Sequence, residues 1–281
     1  MMKKLRFLLF VGIIFLISQT AQVENNLWPT SNGNFQSHKY SNLKKINEKN
    51  TSKLEVAWVY NNGFKAELKP FRTTSQLTPI FTGTSVITSS LDGYLISINP
   101  VNGVENWRTK LRRPVGRRGL VVKDKKIFVP TSQGVVVVNE LTGKIDEDFG
   151  EKGFVGYYGE DFLAIVPPII DNQSLIVAHQ KKVESYKLPN GKTNWSLHLN
   201  GSRVWSPISF DKKNETIAIV TSNLINLIGN TEINPDYSNS LLLINSTTGK
   251  VRCKFKDTIH DHWDLDMTGS PIITEISIEN K

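Results

Sequence analysis

Apolar residues come along this chain in short, nearly unbroken runs, and no long stretch of 3.6-residue period follows residue 27. Runs rich in Val, Ile, Leu and Thr occupy 85–88, 94–98, 126–129, 134–138, 174–178, 216–220 and 240–244, each bounded by Gly, Asn, Asp or Pro. Strand-sized runs between turn-forming residues predict an all-β fold. The runs also recur as a unit. Segments 98–107, 138–146, 186–195 and 244–250 each read as a strand, a polar turn closing on glycine, and a second strand. Trp107 and Trp195 follow two of those turns at the same distance from the glycine. Glycine suits a turn position with φ > 0. Gly103, Gly143, Gly191 and Gly249 lie 40, 48 and 58 residues apart. That is the spacing of four-stranded propeller blades with lengthening loops. Unrelated hairpins are the alternative, and the repeated turn followed by Trp favours blades.

Composition narrows the class. The chain has 281 residues, 39% hydrophobic and 21% charged, which excludes disordered, collagen-like and polytopic membrane proteins. One cysteine, Cys253, excludes an internal disulfide framework and any zinc site built on several thiolates. The net charge of +8 suits a basic periplasmic protein or a nucleic-acid binder. Apart from Arg112-Arg113 and Arg117-Arg118 the basic residues are scattered, so no nucleic-acid partner is expected. At the N-terminus Lys3, Lys4 and Arg6 precede an apolar run over 7–17 and small or polar residues at 18–21. This is the grammar of a secretory signal over 1–21, with export to the periplasm. The run is shorter than the ~20 residues that span a bilayer, so a retained anchor is the lesser alternative. Residues 22–281 then form one domain.

Several longer stretches, in order, resemble the PQQ-dependent quinoprotein dehydrogenases. Trp28-Pro29-Thr30-Ser31-Asn32-Gly33, with 40–47 and 54–58, is similar to the mature N-terminus of that family. Gln76-Leu77-Thr78-Pro79 resembles its first inner strand, and Arg118-Gly119-Leu120 its Arg-Gly-Val/Leu motif. The stretch 143–153 resembles a segment of the glucose-dehydrogenase-like branch. His260-Asp261-His262-Trp263-Asp264-Leu265-Asp266 is similar to the His-Asp-Leu-Trp-Asp-Tyr-Asp signature of that branch. The resemblance runs from about Trp28 to Pro271.

The resemblance implies oxidation of a sugar or polyol hydroxyl by hydride transfer to PQQ, with Ca2+ (or Mg2+) polarising the quinone and a carboxylate taking the proton. Asp264 falls at the position of the general base and of a metal ligand, where a neighbouring cation would keep it ionised. Trp205 matches the indole that lies against one face of the quinone. Asn223 falls where an amide oxygen reaches the metal, a suitable donor for a hard cation. Arg118 matches the arginine near the cofactor carboxylates, and Gln76 a Glu/Gln position beside the cofactor. Without the resemblance, Asp261, Asp264, Asp266 and Asn223 read as turn residues, Trp205 as core, and Arg118 as a solvated charge.

Three departures stand out. The stretch 175–184 has His179 or Gln180 where relatives place a further acidic metal ligand, which implies weaker Ca2+ binding. The adjacent-cysteine pair of alcohol-oxidising relatives is absent, as it is in the glucose-type branch. The resemblance also implies an eight-bladed ring, of which this chain would supply about half, leaving it inactive alone unless a second chain completes the propeller. A respiratory electron acceptor is expected as the redox partner. The alternative function is a non-catalytic PQQ-repeat propeller acting as a periplasmic scaffold or binding module. A small propeller of four or five blades, closed by 54–58, is a further possibility for the architecture.

Overall fold

The computed structural model describes residues 27–64, 76–132, 134–156, 166–171, 173–179, 182–223, 236–259, 261, 263 and 265–278. The expected signal segment 1–21 lies outside them. Among the described residues sixteen strands form four antiparallel four-stranded sheets, each consecutive in sequence. The first comprises β1 (Ile80–Phe81), β2 (Val86–Ser89), β3 (Tyr94–Ile98) and β4 (Glu105–Lys110). The second comprises β5 (Val121–Lys123), β6 (Lys126–Thr131), β7 (Gly134–Asn139) and β8 (Phe154–Val155). In the third are β9 (Ile169–Ile170), β10 (Ser174–Ala178), β11 (Lys182–Lys187) and β12 (Lys192–His198). The fourth contains β13 (Ser209–Asp211), β14 (Thr216–Val220), β15 (Ser240–Asn245) and β16 (Val251–Lys256). A 3-10 turn at Thr51–Lys53 is the one helical element among the described residues. The expected blades are therefore present.

The unbroken apolar runs follow from stacking sheet on sheet. Successive side chains of a strand point to opposite faces. Val135 and Val137 pack toward the third sheet, while Val136 and Val138 pack toward the first. Leu175 and Val177 likewise face the second sheet, and Ile176 and Ala178 the fourth. Both faces of a middle strand are buried, so alternation disappears from the sequence. Outer strands differ: β4 alternates half-buried with exposed positions, and β16 is mostly exposed. Three core clusters fill the junctions between first and second, second and third, and third and fourth sheets. Among the described residues no such cluster joins the fourth sheet to the first, which leaves an arc of a propeller.

The repeated turn has one geometry. Gly103, Gly143, Gly191 and Gly249 have φ of 72°, 69°, 71° and 72°, a conformation that glycine adopts without strain. Each glycine N–H closes the turn on the carbonyl four residues earlier, at 2.8–2.9 Å. Above three of these turns an indole docks, from β4 and β12 in two cases and from the irregular segment before β1 in the third. Trp58 Nε1 donates to the Pro100 carbonyl at 3.0 Å, Trp107 to Glu140 at 2.9 Å, and Trp195 to Ser246 at 2.9 Å.

A strap over 28–38 crosses the inner ends of the arc and links what the sheets alone would leave separate. Trp28 pairs with Phe81, Thr30 with Val121, and the Phe35 carbonyl accepts the Phe210 N–H at 2.7 Å. Phe35 packs on the cores at both the second–third and third–fourth junctions.

Candidate functional site

The inner strands begin from irregular segments that meet near the strap. Gln76 precedes β1, Arg118 precedes β5, and Trp205 precedes β13. These three residues, widely separated in sequence, are brought together. Arg118 Nε donates to Gln76 Oε1 at 2.8 Å, and one of its terminal nitrogens donates to the Trp205 carbonyl. The Arg118 guanidinium carbon lies 5.7 Å from the centre of the Trp205 ring, and that of Arg203 5.9 Å. Gly119 lets the Arg118 segment approach the strap: a Cβ there would stand 2.9 Å from Ser31 Oγ and 3.1 Å from Pro167 Cδ.

Two observations describe what this region is suited to hold. Burial, followed by repulsion from Arg117, lowers the pKa of Arg118, and among the described residues no carboxylate pairs with Arg118 or Arg203. Trp205 Nε1 and Ser31 Oγ are buried without a hydrogen-bond partner, an arrangement that native proteins seldom keep without reason. A half-buried guanidinium beside a broad indole, with spare donors, fits a flat anionic molecule such as a tricyclic polycarboxylate.

Asn223 follows β14 on the same sheet. The bridge between Val204 and Thr221 and the Ser222 N–H to Arg203 carbonyl bond of 2.8 Å set it close along the chain pairing to Trp205. The side chain is 8% exposed. Its backbone N–H donates to Asp266 Oδ1 at 2.7 Å and its Nδ2 to Asp261 Oδ2 at 3.3 Å. Asp261 is the centre of this loop. It accepts the Trp263 N–H at 2.9 Å, the Leu265 N–H at 2.7 Å and Asn239 Nδ2 at 3.0 Å. Burial by itself would raise the Asp261 carboxyl, but these hydrogen bonds outweigh it and hold the group below the usual range. The Ser206 hydroxyl, donating to the Thr268 carbonyl, fastens the same loop to the segment carrying Trp205. Asp264, the expected base, lies outside the described residues, as do His260 and His262, although the N–H groups on either side of Asp264 are both held by Asp261.

The groups here are oxygen-rich, with the Asn223 and Asn239 amides and the Asp266 carboxylate around the hydrogen-bonded Asp261. Asn239 Oδ1 is buried without a partner. An orphaned amide oxygen among carboxylates is what a hard cation would satisfy, so these residues fit such an ion. Gln180 lies outside the described residues, and His179 is used for structure: its Nε2 sits 3.1 Å from Glu184 Oε2, which also accepts the Tyr186 hydroxyl at 2.8 Å. Burial alone would raise Glu184, yet hydrogen bonds from His179, Tyr186 and Ser196 bring it down to about 2.

Sequence reasoning passed over Asn239. Its position before a strand with φ of 43° is a conformation that asparagine tolerates, but nothing in the pattern of residues marks it as lying against Asp261.

Comparisons with known proteins agree with this architecture. The family profile described as "Glucose/ethanol/alcohol dehydrogenase, beta-propeller domain" matches residues 28–191 and 179–281. Quinoprotein glucose dehydrogenase A of Acinetobacter calcoaceticus is 27% identical over 92% of this chain and 41% of its own length. Lanthanide-dependent methanol dehydrogenase of Methylacidiphilum fumariolicum is 23% identical over 92% of this chain and 50% of its own. The chain therefore spans between two fifths and one half of these relatives. Among solved structures, a europium-containing methanol dehydrogenase superposes with a TM-score of 0.76 at 18% identity, over 92% of this chain and 53% of that one. The four sheets, the docked indoles and the profile match over nearly the whole of residues 28–281 make this chain a member of the PQQ-dependent glucose/ethanol/alcohol dehydrogenase β-propeller family.

Proposed function

We propose that this chain forms the cofactor-binding part of a PQQ- and Ca2+-dependent dehydrogenase that oxidises a sugar or polyol hydroxyl in the periplasm. The observation that carries the reading is the convergence of Gln76, Arg118 and Trp205, with Arg118 held 5.7 Å from the indole and no carboxylate paired to it among the described residues. PQQ, when bound, supplies the carbon that accepts the hydride. Arg118 holds a carboxylate of the cofactor with its planar fork of donors, and Gln76 fixes the orientation of that fork. Trp205 provides one wall and keeps water from that face. Asn223 would offer an amide oxygen to the metal, and Asp264 would be a further ligand and the base for the substrate hydroxyl proton. Asp261 holds the backbone of Trp263 and Leu265, to either side of Asp264. Substrate contacts, the electron acceptor and full turnover belong to the complete ring, so activity requires the remaining blades. Export depends on the signal over 1–21.

The test is a titration of the purified chain with PQQ and Ca2+, followed by thermal unfolding and tryptophan fluorescence. A ligand that binds only the folded state raises the midpoint. The expected result is a rise in midpoint and quenching of fluorescence, both lost in Arg118→Ala and Trp205→Ala. An unchanged midpoint at saturating PQQ and Ca2+ would refute the reading. Dye-linked oxidation of glucose by a completed ring should vanish in Asp264→Asn while PQQ binding remains.

A further inference from the structure

Two asparagines from neighbouring strands close on one carboxylate oxygen. Asn223 follows β14 and Asn239 precedes β15, and the Asn239 N–H donates to the Ser222 carbonyl at 3.1 Å. Both side-chain nitrogens donate to Asp261 Oδ2, at 3.3 and 3.0 Å. An ionised carboxylate is acceptor-only, so each amide must present its nitrogen to Asp261 and turn its oxygen elsewhere. Asn239 is 2% exposed, and its Oδ1 has no partner. Leaving such an acceptor buried and unsatisfied costs stability that a bound cation would return. The rest of the neighbourhood has the right sign, because Asp266 lies at the Asn223 N–H and Asp261 between the two amides. Glu184 cannot serve, since its carboxylate is already engaged by His179, Tyr186 and Lys182.

We propose that Asn239 Oδ1 is a ligand to a hard, oxygen-seeking cation, completing with Asn223 a pair of amide donors that Asp261 orients from behind. The proposal rests on the reading of Asn223 as a metal ligand and adds to it a residue and a carboxylate with separate roles. Asp261 accepts four N–H donors, three of them on Oδ2, so it acts as a positioning residue that sets both amides and the Trp263 and Leu265 backbone. This gives the site an oxygen donor from the turn before β15, where the acid of the 175–184 stretch, Glu184, is already engaged.

The experiment uses the whole chain, stripped of metal by chelation and titrated without quinone with CaCl2 and, separately, LaCl3, read by thermal midpoint and calorimetry. Asn239→Gly removes the amide while suiting the positive φ, and Asn239→Asp keeps the shape and adds charge. The expected result is cation binding by the unmodified chain and a loss of about tenfold in affinity in Asn239→Gly. Asn239→Asp should lower the metal-free midpoint by setting a second carboxylate against Asp261, and should enlarge the rise that the cation produces. A merely structural role for Asn239 would lower the midpoint without enlarging that rise. If both Asn239 variants bind within about twofold of the unmodified chain while Asn223→Ala loses binding, the proposal is overturned and the role of Asn223 stands. If the unmodified chain binds neither cation, both are overturned.

Discussion

Three of the four turn glycines lie under an indole and the fourth does not, although all four turns share one backbone geometry. A Cβ at Gly103, Gly143 or Gly249 would stand 2.5–2.7 Å from the Trp58, Trp107 or Trp195 ring. At Gly191 the nearest atom to such a Cβ is the Gly150 Cα, at 3.4 Å. The second sheet ends in the short β8, and its outer edge is the irregular stretch 145–153. The hydrogen bond survives in altered form: Gly150 N–H donates to the Pro189 carbonyl at 2.6 Å, one residue further along the turn than the acceptor an indole uses. The flat apolar surface is only partly replaced. Phe149 packs edge-on to Phe128 at 5.9 Å with the Lys126 ammonium 4.6 Å from its ring. A cleft of about 450 Å³ remains, lined by Lys123, Asp124, Leu188 and Pro189 among others. A docked indole thus does two separable things, closing a hydrogen bond and filling a junction, and backbone alone can do only the first. The third–fourth junction, which carries Trp205 and Asn223, keeps its indole.

That contrast can be broken in graded steps. The largest effect is expected from Trp195→Ala, which should cost about 3 kcal/mol in urea unfolding through lost packing and a lost hydrogen bond. A cost below about 1 kcal/mol would mean that the indole does not hold the junction. Next is Glu184→Gln at the junction that has no indole. The Glu184 carboxyl is held at about 2 against an ordinary 4.5, so its stabilisation is complete above the unfolded value and is lost as pH falls toward 2. The variant should be less stable by about 2 kcal/mol at neutral pH, and the difference should vanish on acidification. A difference independent of pH would assign the effect to packing. Last is the pair of glycine variants, whose difference from each other is the smallest effect. Gly249→Ala meets both a positive φ and the Trp195 ring and should cost about 2 kcal/mol, whereas Gly191→Ala should cost about 1 from backbone strain alone. Equal costs would erase the distinction between the junctions.

Much of this could be read from the chain. The four strand–turn–strand units, their glycines and the recurrence of Trp107 and Trp195 follow from residue type and spacing, because strand period and positive φ are local properties. The family relationship was legible in the same way. Gln76, Arg118 and Trp205 could be named from motifs, but their proximity could not be derived from the residues alone. It requires the ends of three inner strands, 42 and 87 residues apart, to meet beneath the strap.

What the sequence by itself determined is the repeating element: short apolar runs long enough for a strand, glycine where only a left-handed turn fits, and in two of the four units tryptophan four residues beyond it. Tertiary structure alone decided which faces those strands bury, how a junction without an indole is closed, and that Asn239 stands against Asp261 with its oxygen unsatisfied. The physical reason is range. Backbone preference acts within a few residues, whereas burial and the pairing of buried polar atoms depend on which distant segments the sheets bring into contact.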